Sequence, residues 1–328
     1  MIPFSRILEA RNRIRGLVRH TPLRPADGLS RHAGVPVSIK CEHQQTTGSF
    51  KLRGATNAVL SLSEEARRAG VVAASTGNHG RAVAHAGKAA GARAVICLSE
   101  LVPANKVRAI EALGAEVRIV GISQDDAQRE VDRLVGEEGM AEIPPFDHEA
   151  VIAGQGTLGL EIIEDMPELE TLLVPLSGGG LISGVALAAK SLKPGCRVVG
   201  VTMERGAAMV ESLAAGHPVE VAEERTLADS LGGGIGLQNR YTFAMVKALV
   251  DETALVSEDE IAAAIRFAYD EEGEVIEGGA AVGIAAVLSG KVKPKGVTAI
   301  VLSGKNIGAD LHRSIVCAAP AEAPGRNR

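Results

Sequence analysis

VVAASTGNHGRAVAHAGKAAGARAVICL, residues 71–98, decides the fold class. VVAAS is an apolar run that reads as a buried strand, TGNHG follows as a turn, and RAVAHAGKAAG is an alanine-rich helix. ARAVICL then reads as the next strand. Strand, helix and strand within about 30 residues form the unit of a parallel sheet, because a parallel neighbour is reached only by a crossover. The same grammar continues outward: VPANKVRAIEALG, 102–114, reads as a helix with Pro103 near its start, and AEVRIVG, 115–121, as a further strand.

A second series follows after about residue 150. TLLVPLS (171–177) reads as a strand, GGGLISGVALAAKSL (178–192) as a glycine-led helix and CRVVGVT (196–202) as a strand. ALVSEDEIAAAIRFAYDEEG (254–273) carries a helix whose Ser257 and Glu260 have capping-box spacing, and GVTAIVLSGKN (296–306) supplies a late strand. The expectation is an α/β protein of two open parallel-sheet domains over a cleft. Residues 1–60 and 148–328 form the larger domain, 70–147 the smaller, mobile one, and 61–69 the connection. Residues 318–328 are expected to form a polar flexible tail, and no repeat of solenoid length occurs.

The 328 residues can bury a large core, built from Ala, Val, Leu and Ile because Trp is absent and Tyr and Phe number two and five. With 35 basic against 40 acidic residues, net charge -5, no positive field exists for nucleic acid. MIPFSRILEARNRIRG becomes charged before a signal-like segment can form, and no run has membrane-spanning length, so a cytoplasmic protein without membrane partners is expected. Cys41, Cys97, Cys196 and Cys317 are isolated, with no CxxC pair and no histidine at metal-ligand spacing. They read as reduced, mostly buried thiols, and no metal site is expected.

SGGGLISG, 177–184, follows a strand and opens a helix. Side-chain-free glycines let backbone N–H groups approach an anion, and the helix start adds its positive end. The spacing matches neither GxGxxG nor GxxxxGK[ST], so a nucleotide is not the first choice. A tight turn that merely lets helix and strand pack closely is the alternative. In TTGSFKLRGA, 46–55, Ser49, Lys51 and Arg53 alternate with Phe50 and Leu52, which suits surface side chains between core residues. Alternatively, Lys51 is a partly desolvated amine that forms a Schiff base with a carbonyl cofactor. A phosphate cradle without a nucleotide fingerprint, together with such a lysine, points to pyridoxal phosphate.

TGSFKLRGA, STGNHG, IAGQGT, SGGGLISG and LSGKN occur in this order between HTPL at 20–23 and residue 306. In these motifs the chain resembles the threonine dehydratase and serine racemase group, fold type II pyridoxal-phosphate enzymes with a tryptophan synthase beta-like fold. The resemblance implies that Lys51 bonds the cofactor, Phe50 packs beside its ring and Asn78 meets its phenolic oxygen. It implies that Ser75, Thr76, Asn78 and His79 hold the substrate carboxylate, and that Ser177, Gly178, Gly179, Gly180 and Leu181 cradle the phosphate. Ser303 would face the pyridine nitrogen, where a serine cannot hold a proton as firmly as a carboxylate does. Glu277 would lie near the ring, and Gly278, where relatives often carry proline, is expected to loosen that loop. Thr76 stands where the racemases place a serine as the facing acid or base, so it is a second catalytic candidate. Glu204 and the Ala208 carbonyl match two ligands of a cation site in some relatives, but Val210 replaces the third. Asp229 reads as a loop residue, Glu258 as a helix first-turn acid, and Glu64 and Glu65 with Arg67 and Arg68 as a solvated face.

The implied activity is elimination of water from a β-hydroxy amino acid to give a 2-oxo acid and ammonia, in a homodimer without the C-terminal regulatory domain of biosynthetic threonine dehydratases. QTTGSFKLRGATNAV (45–59) with LADSLGGGIGLQNRYTF (227–243) further resembles the dehydratase of hydroxyectoine breakdown. Arg240 or His43 would then meet an extra polar group of the substrate. A racemase acting on serine, threonine or 3-hydroxyaspartate, and a β-replacement synthase, remain alternatives. The synthases usually carry SxKxR around the lysine. A binding protein without enzymatic activity would keep the fold and lose the lysine-bound cofactor.

Overall fold

The computed structural model describes residues 1–318 apart from Thr76 and Pro103. Ten strands among them form two sheets: β1 (Leu23–Pro25), β2 (Val37–Lys40), β3 (Val71–Ala74), β4 (Ala94–Leu98), β5 (Glu116–Ile119), β6 (Ala141–Glu142), β7 (Thr171–Pro175), β8 (Arg197–Met203), β9 (Glu252–Val256) and β10 (Thr298–Val301). The larger sheet has the order β1-β2-β10-β7-β8-β9 and the smaller β5-β4-β3-β6. Every pairing is parallel except β1 with β2, where Leu23 faces Lys40 and Pro25 faces Ser38. The larger sheet is therefore the expected open parallel sheet with one antiparallel edge strand, β1. Pro25, which donates no hydrogen bond, sits on that edge strand as strand prolines do.

Side chains alternate across the larger sheet as the strand period requires. Leu173, Val199 and Ile300 face the core formed with Ile261 and Ile265 of the helix Glu258–Asp270 and with the apolar helix Gly278–Leu288. Their neighbours Leu172, Val198 and Val301 face the opposite core, with Ile162 and Val185 of the helices Glu149–Asp165 and Gly180–Leu192. In the smaller sheet, Val71, Ala73 and Ile96 pack with Val83, while Val72, Val95 and Cys97 pack with Val131 and Leu134. The Ser257–Glu260 capping box forms as expected.

Lys51 opens a helix, Lys51–Ser61, so the alternation around it is not that of a strand. Ala55, Ala58 and Val59 of this helix join the core of the smaller sheet. Arg53, on the same helix, is wholly buried rather than superficial. The glycines of 152–157 explain how the helix is held. A Cβ on Gly154 would lie 2.6 Å from the Arg53 carbonyl oxygen, and one on Gly184 would lie 2.3 Å from that of Ile152. The helices of Lys51 and of the glycine-led segment thus both rest at backbone distance on the helix Glu149–Asp165. Among the described residues, no helix is long and apolar enough to cross a membrane.

Candidate active site

A cavity of about 470 Å³ opens between the sheets, and Phe50, Lys51, Ser75, Asn78, His79, Ser177, Gly178, Gly179, Gly180, Leu181, Glu277 and Ser303 all line it. Ser75 follows β3 and Ser177 follows β7, so the cavity lies beyond the carboxyl ends of parallel strands, where open α/β sheets bind ligands. Thr76 falls outside the described residues.

The Lys51 side chain is half-buried, donates to the Pro145 carbonyl at 2.8 Å and lies 5.4 Å from the centre of the Phe50 ring. Burial lowers its pKa to about 8, against the opposing pull of the Glu277 charge. Roughly a tenth is then the neutral, nucleophilic amine at pH 7, far more than an unshifted lysine offers to Schiff-base chemistry.

Gly179 has φ +86°, a left-handed conformation that turns the chain from β7 into the helix Gly180–Leu192. A Cβ on Gly178 would come within 2.4 Å of the Phe146 ring, and one on Gly180 within 2.8 Å of the Phe146 Cα. The packing and anion-binding readings of these glycines are therefore compatible: bare backbone fits under Phe146, and its N–H groups are left at a helix start. The N–H groups of Gly178 and Gly179 make no hydrogen bond among the described residues. They and the first turn of the helix form a donor set suited to a phosphate. With Lys51 in the same cavity, the residues fit a phosphorylated carbonyl cofactor.

Asn78 begins the helix Asn78–Ala89 and donates from Nδ2 to Glu277 Oε1 at 2.7 Å. Its Oδ1 accepts from Asn306 Nδ2, which also donates to the Thr47 carbonyl at 3.1 Å. These bonds leave one N–H of the Asn78 amide for a ligand. Glu277 is buried and also accepts from the Asn306 backbone at 2.9 Å. Burial raises its pKa, against the lowering effect of Ser230 and Asn78, and the Asp229 charge raises it further. His79 is pinned differently: its Nε2 bonds the Ile143 carbonyl at 2.6 Å, and burial, followed by the Lys51 charge, drives its pKa down to about 3. It is a neutral imidazole that ties backbone together and a very weak base.

Gly278 does not loosen its loop. A Cβ there would lie 2.0 Å from the Leu227 carbonyl oxygen, so the glycine lets segment 227–231 lie directly on the start of the helix Gly278–Leu288. Asp229, read from sequence as an ordinary loop residue, is thereby brought to the cavity wall with Ser230. Glu258 accepts from the Thr226 hydroxyl at 2.6 Å and the Leu227 N–H at 2.7 Å, tethering the same segment. Sequence reasoning also missed Asn306 and Arg81, whose Nη1 donates to Asn306 Oδ1 at 3.1 Å. The motif LSGKN contained Asn306, but its partners are up to 259 residues away.

Neither Arg240 nor His43 lines the cavity. Arg240 is exposed, and His43 is buried with its Nε2 at 2.6 Å from Glu274. Glu204 lies 2.8 Å from the Lys291 ammonium, which also takes Glu260 at 2.8 Å, while Val210 packs against the core. Three of the cysteines are buried and Cys317 is exposed.

The chain is 60% identical over 311 residues, 94% of each protein, to a Sinorhizobium fredii protein that carries threonine dehydratase as a provisional name. It is 42% identical to the L-threonine ammonia-lyase of Thermotoga maritima over 96% of this chain and 78% of that one. The structure of maize serine racemase superposes with a TM-score of 0.90 at 34% identity, covering 95% of this chain and 96% of that chain. Residues 14–304 match the family described as pyridoxal-phosphate dependent enzyme. The chain belongs to that family, as a fold-type II enzyme related to threonine dehydratase and serine racemase, with pyridoxal phosphate as its cofactor.

Proposed function

We propose that the protein is an ammonia-lyase that eliminates water from a β-hydroxy amino acid, giving a 2-oxo acid and ammonia. The observation that carries this reading is the Lys51 amine, lowered to about 8 and facing the same cavity as the free N–H groups of the glycine cradle. Pyridoxal phosphate, when bound, supplies the electron sink that makes the α proton acidic. Gly178, Gly179, Gly180 and Leu181 would hold its phosphate through their backbone, with Ser177 at their head. Phe50 would pack beside its ring, and the remaining N–H of Asn78 would orient it. Ser75 and Asn78, with Thr76, would hold the substrate carboxylate, and His79 fixes the backbone behind them. Lys51 would take the α proton. The β hydroxyl leaves as water after gaining a proton, and hydrolysis of the resulting enamine consumes one water and yields the two products. Ser303, an uncharged residue, would face the pyridine nitrogen and suits an elimination in which charge departs with the leaving group.

The finer substrate reading is a hydroxylated diaminobutyrate derived from hydroxyectoine. It rests on the likeness of 45–59 and 227–243 to that subgroup. A homodimer is proposed on the same family ground.

The test is an assay of purified, cofactor-loaded protein against threonine, serine, 3-hydroxyaspartate and a hydroxylated diaminobutyrate, measuring ammonia, 2-oxo acid and substrate chirality together. Equal amounts of ammonia and 2-oxo acid from at least one substrate are expected, and the rates rank the panel. Inverted substrate without ammonia would replace the reading with racemisation. A thiol amino acid formed when sulfide is added, without elimination in its absence, would replace it with β-replacement.

A further inference from the structure

Behind the cavity, Cys41, His43 and Glu274 meet although Glu274 lies 231 residues beyond His43. One ligand atom from each, the Cys41 thiol sulfur, a His43 ring nitrogen and a Glu274 carboxylate oxygen, lies within 4.8 Å of the other two. Cys41 and His43 are buried and Glu274 is partly exposed. Tetrahedral zinc, with bonds of about 2.0–2.3 Å, sets its ligands about 3.3–3.8 Å apart, so a small contraction would close this triangle around an ion. Sulfur, imidazole and carboxylate together are the donor set of a borderline-soft divalent cation rather than of calcium or magnesium.

The surrounding polar groups bear on this in two ways. His43 Nδ1 is buried and has no hydrogen-bond partner among the described residues, although nearly all buried polar atoms are paired. Only Nε2 of this ring has a hydrogen-bond partner among the described residues, Glu274 at 2.6 Å. Arg24 is the cation bonded to Glu274: its Nε and Nη2 donate to Glu274 Oε1 at 3.1 and 2.9 Å, and its Nη1 lies 3.5 Å from the buried Glu272 carboxylate. Gln44 Nε2 lies 3.5 Å from the same Glu274 oxygen, and the Cys41 thiol faces the Ile39 carbonyl at 3.7 Å. Arg24 opposes a second cation but leaves Glu274 Oε2 free of itself.

We infer that Cys41, His43 and Glu274 form a binding site for a zinc-type divalent cation. On binding, the Cys41 sulfur loses its proton to solvent as the sulfur–metal bond forms, and no electron is transferred. The His43–Glu274 hydrogen bond is exchanged for two metal bonds, and access is from the partly exposed Glu274 side. The site joins two segments that reach the active site. The His43 N–H donates to the Leu302 carbonyl beside Ser303, and Glu277 lies three residues beyond Glu274. A bound ion would fasten these segments to one another.

The test is titration of chelator-treated holoenzyme with cobalt(II), read by equilibrium dialysis and by ligand-field absorbance at the red end of the spectrum, away from the cofactor. One cobalt per chain is expected, with the intense bands of a tetrahedral thiolate site, displaced by zinc. Cys41→Ser and His43→Gln should each lower retention at least tenfold and abolish the bands, with cofactor absorbance reporting that the variants are folded. If His43→Gln does not fold, Cys41→Ser and Cys41→Ala, which leave the His43–Glu274 bond in place, carry the comparison. Wild-type holoenzyme without these bands, or cobalt retained equally by wild type and the folded variants, would overturn the site.

Discussion

Arg53 grips Glu42 through two parallel hydrogen bonds, Nε to Oε2 and Nη2 to Oε1, each 2.8 Å long, with neither side chain exposed. The remaining face of the guanidinium binds Glu161 at 2.7 and 2.8 Å, and Lys40 approaches Glu161 at 2.9 Å. Arg53 lies two residues from Lys51 on the same helix, so this buried cluster anchors the helix that presents the reactive amine. Arg53→Met strips the buried Glu42 carboxylate of its bidentate partner, leaving it the Thr21 hydroxyl, and should cost about 3–5 kcal/mol of stability in denaturant unfolding. Burial alone would raise the Glu42 carboxyl, but the Arg53 charge and hydrogen bonds outweigh it and hold the pKa below its ordinary 4.5. A carboxyl depressed in the folded state contributes stability above its unfolded pKa and loses it as pH falls through the folded one. The difference between wild type and Arg53→Met should therefore shrink below about pH 4.5.

The lowered Lys51 pKa predicts how apoenzyme takes up cofactor. The rate at which pyridoxal phosphate gains lysine-bound absorbance should rise with pH and level off above about 8, because the amine is then mostly neutral. An unshifted lysine would make the rate climb toward its ordinary 10.5. Stopped-flow absorbance across that range separates the two. The stability contribution has its own sign. Between about 8 and 10.5 the unfolded lysine binds more protons than the folded one, so this residue makes the apoprotein more stable as pH rises through that window.

Gly278→Ala should disturb the cavity wall rather than stiffen it. The added methyl meets the Leu227 carbonyl at 2.0 Å and must push segment 227–231 outward, at a cost of about 1–3 kcal/mol. Cofactor affinity and turnover should both fall. Gly195→Ala, where nothing lies within 4 Å, should stay within about 0.5 kcal/mol of wild type. Thermal unfolding of the two variants side by side checks the contrast.

Asn306→Ala removes the donor to Asn78 and Thr47 and the acceptor for Arg81 at once. The Asn78 amide loses its fixed orientation, and the loss of about 1–3 kcal/mol expected for such a part-buried polar network corresponds to roughly 5- to 150-fold in cofactor affinity. Fluorescence titration of the apoprotein measures it, and an unchanged affinity would show that Asn78 is oriented by Glu277 alone.

Much of this arrangement was legible in the chain because its signals are local. An apolar run, a turn and an alanine-rich helix declare β3, the Asn78 helix and β4, and three glycines after β7 mark the turn into the helix Gly180–Leu192. Where the reading failed, the deciding contact was distant or the local pattern too short. Five alternating residues around Lys51 cannot tell a strand from the first turn of a helix. The three-residue β1 has no period to read, and its direction is set by pairing with β2. The role of Gly278 lies in the Leu227 carbonyl, and the partner of Cys41 and His43 lies beyond residue 270. Arg53 read as a surface residue because its two carboxylate partners were not yet in view.

The most direct measurement is of ammonia and 2-oxo acid formed from the best β-hydroxy amino acid by wild type and Lys51→Ala, both supplied with pyridoxal phosphate and both shown to be folded by circular dichroism. Wild type should release the two products in equal amounts, and Lys51→Ala should be slower by on the order of 10²–10⁴-fold or more, because it lacks the amine proposed to move the α proton. Turnover by Lys51→Ala within about tenfold of wild type would contradict the assignment of Lys51 as the catalytic base.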